Sequence, residues 1–394
     1  MKYDFDTVIE RKNTSSIKYD PVSRGKPEDA LPLWVADMDF AAPSCVQDAL
    51  VSRARHGIFG YSEPCGTYFL AVREWFKNRF EWNTEKEWIL ITPGVVNALY
   101  LAVRAFTKPG DGIVVQQPVY YPFNSSVQKT GRVLLINELI YSEGHYSVNF
   151  EDFENKIKVA KLFILCNPHN PVGRVWTYDE LIRMGEICLR YGVTVIADEI
   201  HQDIIFPPHK HRVFAALDTR FSDFTVTCTS PSKTFNLAGL QHANIFIPNE
   251  QLRALFIQEY ENCGLSQPGI MGLVSCEAAY TSGAQWLDAL INYLTGNMSL
   301  INEFLRNHIP KIKLVKPEGT YLAWLDFSKL GLSANELNNA VTHKAKLWLS
   351  NGPTFGRGGN GFQRLNAACP RSLLQNALER LRNIDETYQQ GDTI

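Results

Sequence analysis

The chain lacks the features that would tie it to membranes, to nucleic acid or to a disulfide framework. No window approaches the eighteen or so consecutive apolar residues of a membrane span, so no membrane partner is expected. Neither sign of charge is in excess: 39 Lys and Arg stand against 41 Asp and Glu, a net charge of -2, with no basic stripe and no helix-turn-helix segment. That excludes a nucleic-acid reader. The eight cysteines, at positions 45, 65, 166, 188, 228, 263, 276 and 369, form no C-x-x-C pair. Several sit in apolar runs such as Phe163-Ile164-Leu165-Cys166, which predicts reduced core thiols and not disulfides or zinc ligands. His209 and His211, beside Pro207-Pro208, have no cysteine or carboxylate at ligand spacing and read as a loop, so no metal is expected. The opening Met1-Lys2-Tyr3-Asp4-Phe5-Asp6 has no apolar signal-peptide core, which makes the cytoplasm the expected location. There is no internal repeat and no low-complexity linker, and the tail at 389–392 is expected to fray.

What is present is a chain of 394 residues, 45% hydrophobic and long enough for a large domain with a smaller one appended. From about 90 to 245, short apolar runs alternate with amphipathic stretches of helical length. The predicted strands are Ile113 to Gln116, Val133 to Ile136, Leu162 to Cys166, Thr194 to Ala197, Phe224 to Cys228 and Asn244 to Ile247. Asp179 to Tyr191 has helical spacing with Thr177 as its N-cap. This pattern predicts an α/β fold with a mostly parallel sheet flanked by helices. The first 45 residues break the rhythm, with Leu31 to Val35 extended, and read as an arm joined to the smaller domain. Residues 46–285 form the expected large domain; 286–394, with a long helix from Trp286 to His308 and strands near 314, 321–326 and 362–367, form a smaller α+β domain.

Chemistry concentrates just after the strands, where open α/β sheets bind ligands. Ser230-Pro231-Ser232-Lys233 follows one apolar run and precedes a loop. The lysine can condense with an aldehyde while Ser230 and Ser232 offer hydroxyls to a phosphate, two groups that pyridoxal phosphate (PLP) carries together; taken alone, the stretch also reads as a surface loop. Asp198, ending Val195-Ile196-Ala197, can pair with a protonated pyridine nitrogen or serve as an ordinary strand-end ligand or cap. The 35 residues from Asp198 to Lys233 accommodate one helix and one strand, so both can reach the same sheet edge. At Thr92-Pro93-Gly94 a strand turns into a helix whose first N–H groups, on Val95 and Val96, can hold a phosphate, or the segment is a plain turn. Asn170, in Asn167-Pro168-His169-Asn170-Pro171-Val172-Gly173, can donate its amide to a ring oxygen or carboxylate, or simply form a turn. Tyr120 and Tyr121, among prolines, can supply an aromatic face for a flat cofactor or simply pack. Arg364, in an apolar strand, needs a carboxylate: a substrate's, or one from an internal salt bridge.

In this order the motifs resemble those of the fold-type I, aspartate-aminotransferase-like PLP enzymes over essentially the whole chain. Within that family the chain looks most similar to the MalY/PatB-type cystathionine β-lyases. The matching segments are Trp34-Val35-Ala36-Asp37-Met38-Asp39-Phe40, Asp198-Glu199-Ile200-His201, Lys233-Thr234-Phe235-Asn236-Leu237-Ala238-Gly239, and the opening Phe5-Asp6, Arg11, Thr14 and Lys18-Tyr19-Asp20. The resemblance implies a carbon–sulfur β-lyase that releases a thiol, pyruvate and ammonia from L-cystathionine or related S-substituted cysteines. It implies Lys233 as catalytic residue. Gly94, Val95, Val96, Tyr120, Asn170, Asp198, His201, Ser230, Ser232 and Tyr61 would lie on the cofactor, with Arg364, Asn170, Ala36 and Tyr121 on the substrate. A homodimer with active sites at the subunit interface is also implied, Tyr61 reaching the partner's phosphate. Two positions depart from the general aminotransferase pattern: His201 stands where tyrosine is usual, and Gln241 where a phosphate-binding arginine is usual. An aminotransferase uses the same lysine, aspartate and arginine, and a PLP-binding regulatory protein is the further alternative.

Overall fold

The computed structural model describes residues 3–20 and 24–389, the side chains of 385–389 excepted. The tail expected to fray lies, from Gln390 on, outside them. Seven apolar runs pair into one sheet: β1 (Ile89–Thr92), β2 (Gly112–Gln117), β3 (Val133–Glu138), β4 (Ala160–Cys166), β5 (Thr194–Asp198), β6 (Thr225–Thr229) and β7 (Ala243–Phe246). Their order is β1-β7-β6-β5-β4-β2-β3, and only β7 runs against its neighbours. The C-terminal ends of the other six therefore share one edge. Register brings the chemistry level along it, with Cys166 opposite Asp198 and Asp198 opposite Cys228.

Helices cover both faces of the sheet because each strand is apolar on both sides. Ile113, Val115, Ile164, Ile196 and Val226 pack with Ala98, Leu99 and Ala102 of the helix Val95–Phe106. Val114, Phe163 and Val195 face the other way, towards Leu181, Met184 and Cys188 of the helix Tyr178–Tyr191. That helix begins in a capping box, Thr177 accepting from the Glu180 N–H and Glu180 accepting from the Thr177 N–H. A glycine is required in its middle: a Cβ on Gly185 would lie 2.1 Å from the Phe221 ring.

A second, antiparallel sheet consists of β8 (Lys313–Leu314), β9 (Leu322–Asp326), β10 (Ser350–Asn351) and β11 (Phe362–Asn366), in the order β8-β9-β11-β10. The helices Ala284–His308 and Arg371–Gln389 supply Leu294, Met298, Leu374 and Leu378 to the core it shares with Leu322 and Leu365. The arm forms less strand than expected. Only Leu31–Pro32 pairs, parallel to Leu347–Trp348, because beyond Leu33 the backbone oxygens of the arm are taken up by side chains of β11 and not by a ladder. Lys233, expected just beyond a strand's end, lies there on a one-turn helix, Pro231–Thr234, capped by Ser230. The cysteines are all free, but Cys65 and Cys263 are exposed at helix ends and so correct the expectation of core thiols. Among the described residues no group of three potential ligands could hold a metal, and no helix is long and apolar enough to cross a membrane.

Candidate active site

At the shared C-terminal edge of the large sheet lies a cavity of about 540 Å³. Gly94, Val95, Val96, Tyr120, Asn170, Asp198, His201, Ser232, Lys233 and Ala36 all line it, so most of the expected site residues converge. Gly94 enters the helix Val95–Phe106 at φ +93°, a backbone region that glycine adopts without strain, and it leaves the first-turn N–H groups of Val95 and Val96 at the cavity wall. Arg364 and Tyr121 line an adjoining cavity of about 770 Å³, which shares Ala36, Tyr120 and Lys233 with the first.

Two expected residues stand elsewhere. Ser230 is not in the lining, since its hydroxyl donates to the His242 carbonyl and accepts from the Ser232 N–H, leaving nothing for a phosphate. Tyr61 is 98% exposed and outside both cavities.

The Lys233 amine donates to the Ala36 carbonyl at 2.8 Å, an oxygen that also accepts from the Tyr321 hydroxyl at 2.9 Å. Burial lowers the lysine's pKa to about 8, against the opposing pull of Asp37. Asp198 is buried, accepts from the Ile200 N–H at 3.1 Å and has no ion-pair partner among the described residues. Burial raises its pKa to about 7. Burial also holds His201 well below its usual pKa, as a neutral imidazole whose Nδ1 has no hydrogen-bond partner.

Arg364 resolves one alternative that the sequence left open. Its terminal nitrogens donate to Asn170 Oδ1 at 2.9 Å, the Trp34 carbonyl at 2.8 Å and Ser350 Oγ at 3.2 Å, and its Nε is buried without a partner. No carboxylate of the described residues pairs with it, and burial lowers its pKa to about 10. A buried guanidinium with an open edge and no anion is suited to an incoming carboxylate.

These features test the fit to PLP. An amine of lowered basicity, a buried carboxylate without a cation, and the N-terminus of a three-turn helix match the aldehyde, the ring nitrogen and the phosphate. The residues fit the group, and the unpaired carboxylate is what a protonated ring nitrogen would satisfy.

Sequence reasoning missed the supports. Asn366 donates to the Val35 and Asp37 carbonyls, and Asn236 bonds Met38 and Phe40, so the segment 34–40 is clamped between the two sheets. Arg11 and the fully buried Lys18 pair with Asp37 and Asp39 from the arm. Behind the lysine, Thr234 donates to Asp203, which Arg79 approaches at 3.3 Å. A signal existed for Asn366, two residues from Arg364 and hence on the same face of β11. Asn236 and Arg11 stand in segments that carry the resemblance, but no local pattern gives them a role, because their partners lie far away in sequence.

Comparison with known proteins places the site in context. The family model for class I and II aminotransferases matches residues 29–381. The cystathionine β-lyase PatB of Bacillus subtilis is 47% identical over 382 residues, which cover 96% of this chain and 99% of that protein. Protein MalY of Escherichia coli is 34% identical, over 97% of this chain and 98% of its own. The crystal structure of cystalysin from Treponema denticola, which contains pyridoxal 5'-phosphate, is 38% identical and superposes with a TM-score of 0.95 over 98% of this chain and all of that one.

Proposed function

The chain belongs to the class I and II aminotransferases, among the cystathionine β-lyases of the PatB and MalY type, and on that premise we propose that it is a PLP-dependent carbon–sulfur β-lyase acting on L-cystathionine or related S-substituted cysteines. The net reaction turns an S-substituted cysteine and water into a thiol, pyruvate and ammonia. The Cα–H and Cβ–S bonds break, the sulfur leaves with its bonding pair, and no oxidant or reductant is needed. The observation that carries the reading is the convergence of Lys233, Asp198 and Arg364, which has no carboxylate partner among the described residues, on adjoining cavities.

When bound, PLP supplies an electron sink for the charge that develops on the substrate's Cα. Asp198 is suited to hold a proton on the ring nitrogen, since only a cation satisfies its buried carboxylate. Arg364 and Asn170, already hydrogen-bonded to each other, present two donors to the α-carboxylate and fix Cα. Lys233 Nζ takes the α-proton. A pKa near 8 leaves about a quarter of the amine neutral at pH 7.5, against about a thousandth for an ordinary lysine. The Ala36 carbonyl aims the amine, and the clamped 34–40 segment keeps that carbonyl in place.

Phosphate binding, in this reading, rests on Val95, Val96, Ser232 and a residue from a second copy. The exposed Ile58, Phe59 and Tyr61 form an apolar edge that a homodimer would cover, and Tyr61 is the residue we assign to the partner's phosphate. Eight free thiols suit a reducing compartment such as the cytoplasm. The test is pyruvate release from L-cystathionine by PLP-loaded protein without an added keto acid. Release supports the lyase; turnover only when a keto acid is supplied would make it an aminotransferase, and PLP binding without any turnover a regulatory protein. Sedimentation would detect the dimer.

A further inference from the structure

The 770 Å³ cavity next to the PLP site is lined by four cationic side chains, Lys233, Arg364, Arg24 and Lys26, and by no Asp or Glu. Two of the four are committed to the α-amino and α-carboxylate end. Arg364 is buried and the half-buried Lys233 is tied to the Ala36 carbonyl on the side shared with the first cavity, whereas Arg24 is exposed and Lys26, half-buried, follows it two residues on, which places the second pair at the mouth. Neither mouth cation has a carboxylate partner among the described residues. Arg24 lies over the Trp34 ring, 5.4 Å from its centroid, and Lys26 has only the Thr342 hydroxyl, at 3.4 Å.

Trp34 links the two ends. Its carbonyl accepts from Arg364 at 2.8 Å, and its indole stacks on Trp348 at 4.4 Å and carries Arg24 on its ring. Arg364 and Arg24 thus meet the two ends of Trp34, and Trp34, Trp348 and Leu349 give the same cavity an apolar wall. A bare cysteine would leave most of this space unfilled.

Resting on the β-lyase reading, we propose that Arg24 and Lys26 are the residues that read the leaving group, taking a carboxylate at the far end of the departing thiol such as the one L-cystathionine carries. The apolar wall accommodates the intervening methylenes, and the mouth cations take the distal anion. A cationic leaving group meets a site with no carboxylate to receive it.

Three thioethers of nearly equal size test this, S-(2-carboxyethyl)-, S-(2-hydroxyethyl)- and S-(2-aminoethyl)-L-cysteine, with pyruvate release by PLP-loaded protein as the readout. The carboxylate substrate is expected to exceed the hydroxyl one in kcat/KM by roughly tenfold, mainly through KM, with the amine lowest; tenfold is about 1.4 kcal/mol, within reach of one partly exposed charge-assisted contact. In the double variant Arg24→Gln, Lys26→Gln the ratio should fall to near one. Both rates come from one preparation, so any loss of folded protein cancels. Equal rates on the carboxylate and hydroxyl substrates, or a preference that survives the double variant, would overturn the inference. If none of the three yields pyruvate, the lyase reading fails instead. The mouth is then judged by tryptophan quenching with the unreactive L-2-aminoheptanedioate against L-2-aminooctanoate: tighter binding of the diacid, lost in the double variant, upholds it, and equal binding refutes it.

Discussion

Replacing Lys233 with methionine should abolish turnover and yet make the PLP-free protein more stable near neutral pH. Lys233 is half-buried, and desolvation of its ammonium lowers its pKa from 10.5 to about 8. That drop of roughly 2.5 pH units, at about 1.4 kcal/mol each, amounts to about 3 kcal/mol of stability that the charged lysine withholds from the folded chain. The sign follows from proton counts. Below pH 8 the amine is protonated in both folded and unfolded chains, and the penalty is complete; between pH 8 and 10.5 the folded chain releases its proton first, so the penalty shrinks and then vanishes. Methionine keeps the length without the charge but loses the hydrogen bond to the Ala36 carbonyl, about 1.5 kcal/mol for a charged donor, while Tyr321 still donates to that oxygen. The net gain at pH 7 is then about 1–2 kcal/mol, or on the order of 2 °C in the melting midpoint of a chain this size. Thermal melts of PLP-free wild type and Lys233→Met, at one protein concentration and at pH 7 and pH 10, would show it. A variant less stable than wild type at pH 7, or a gain that does not shrink at pH 10, would refute the account of a desolvated cation. With added PLP the same variant should show only the absorbance of the free cofactor, without the shifted band of a lysine imine, and release no pyruvate.

Three further outcomes are expected. Asp198→Asn leaves a protonated ring nitrogen without its counter-charge; breaking a buried charge pair by removing one partner is worth about 3–5 kcal/mol, so kcat/KM should fall by roughly 100-fold or more, and equilibrium dialysis should show weaker PLP binding. Arg364→Lys keeps the charge but loses the fork that joins Asn170, Trp34 and Ser350; KM in the pyruvate assay should rise by roughly tenfold or more while the melting midpoint moves little. Gly185→Ala would drive a methyl into the Phe221 ring, which should lower stability by about 1–3 kcal/mol in urea denaturation without changing the KM of the protein that remains folded.

What could be read in advance follows the range of the forces involved. Strands and their ends are set by local patterning, so β2, β4, β5 and β6 were placed within a residue or two, and the residues that follow strand ends came with them. Ser230 shows how that reasoning can miss: its position after β6 was right, but its hydroxyl is consumed by the helix cap and by the His242 carbonyl, and a neighbour across the sheet cannot be seen in a local motif. Tyr61 likewise lies outside the cavities of its own chain, and a role for it depends on a surface that a single sequence does not display.

The sequence by itself determined an α/β sheet with a lysine, an aspartate and an asparagine placed after its strands, because apolar alternation and turn residues act over a few positions. It also determined that Arg364 would be a buried cation, since an arginine within an apolar strand has nowhere else to go. Only the tertiary structure decided that this cation has no carboxylate partner among the described residues, and that the arm brings Ala36 to Lys233 and Trp34 to Arg364 across 197 and 330 positions. It also decided that Arg24 and Lys26 share a cavity with both. Those facts depend on which distant segments fill the space around a charge, and burial, which sets the pKa of Lys233 and Asp198, exists only once the chain has closed around them.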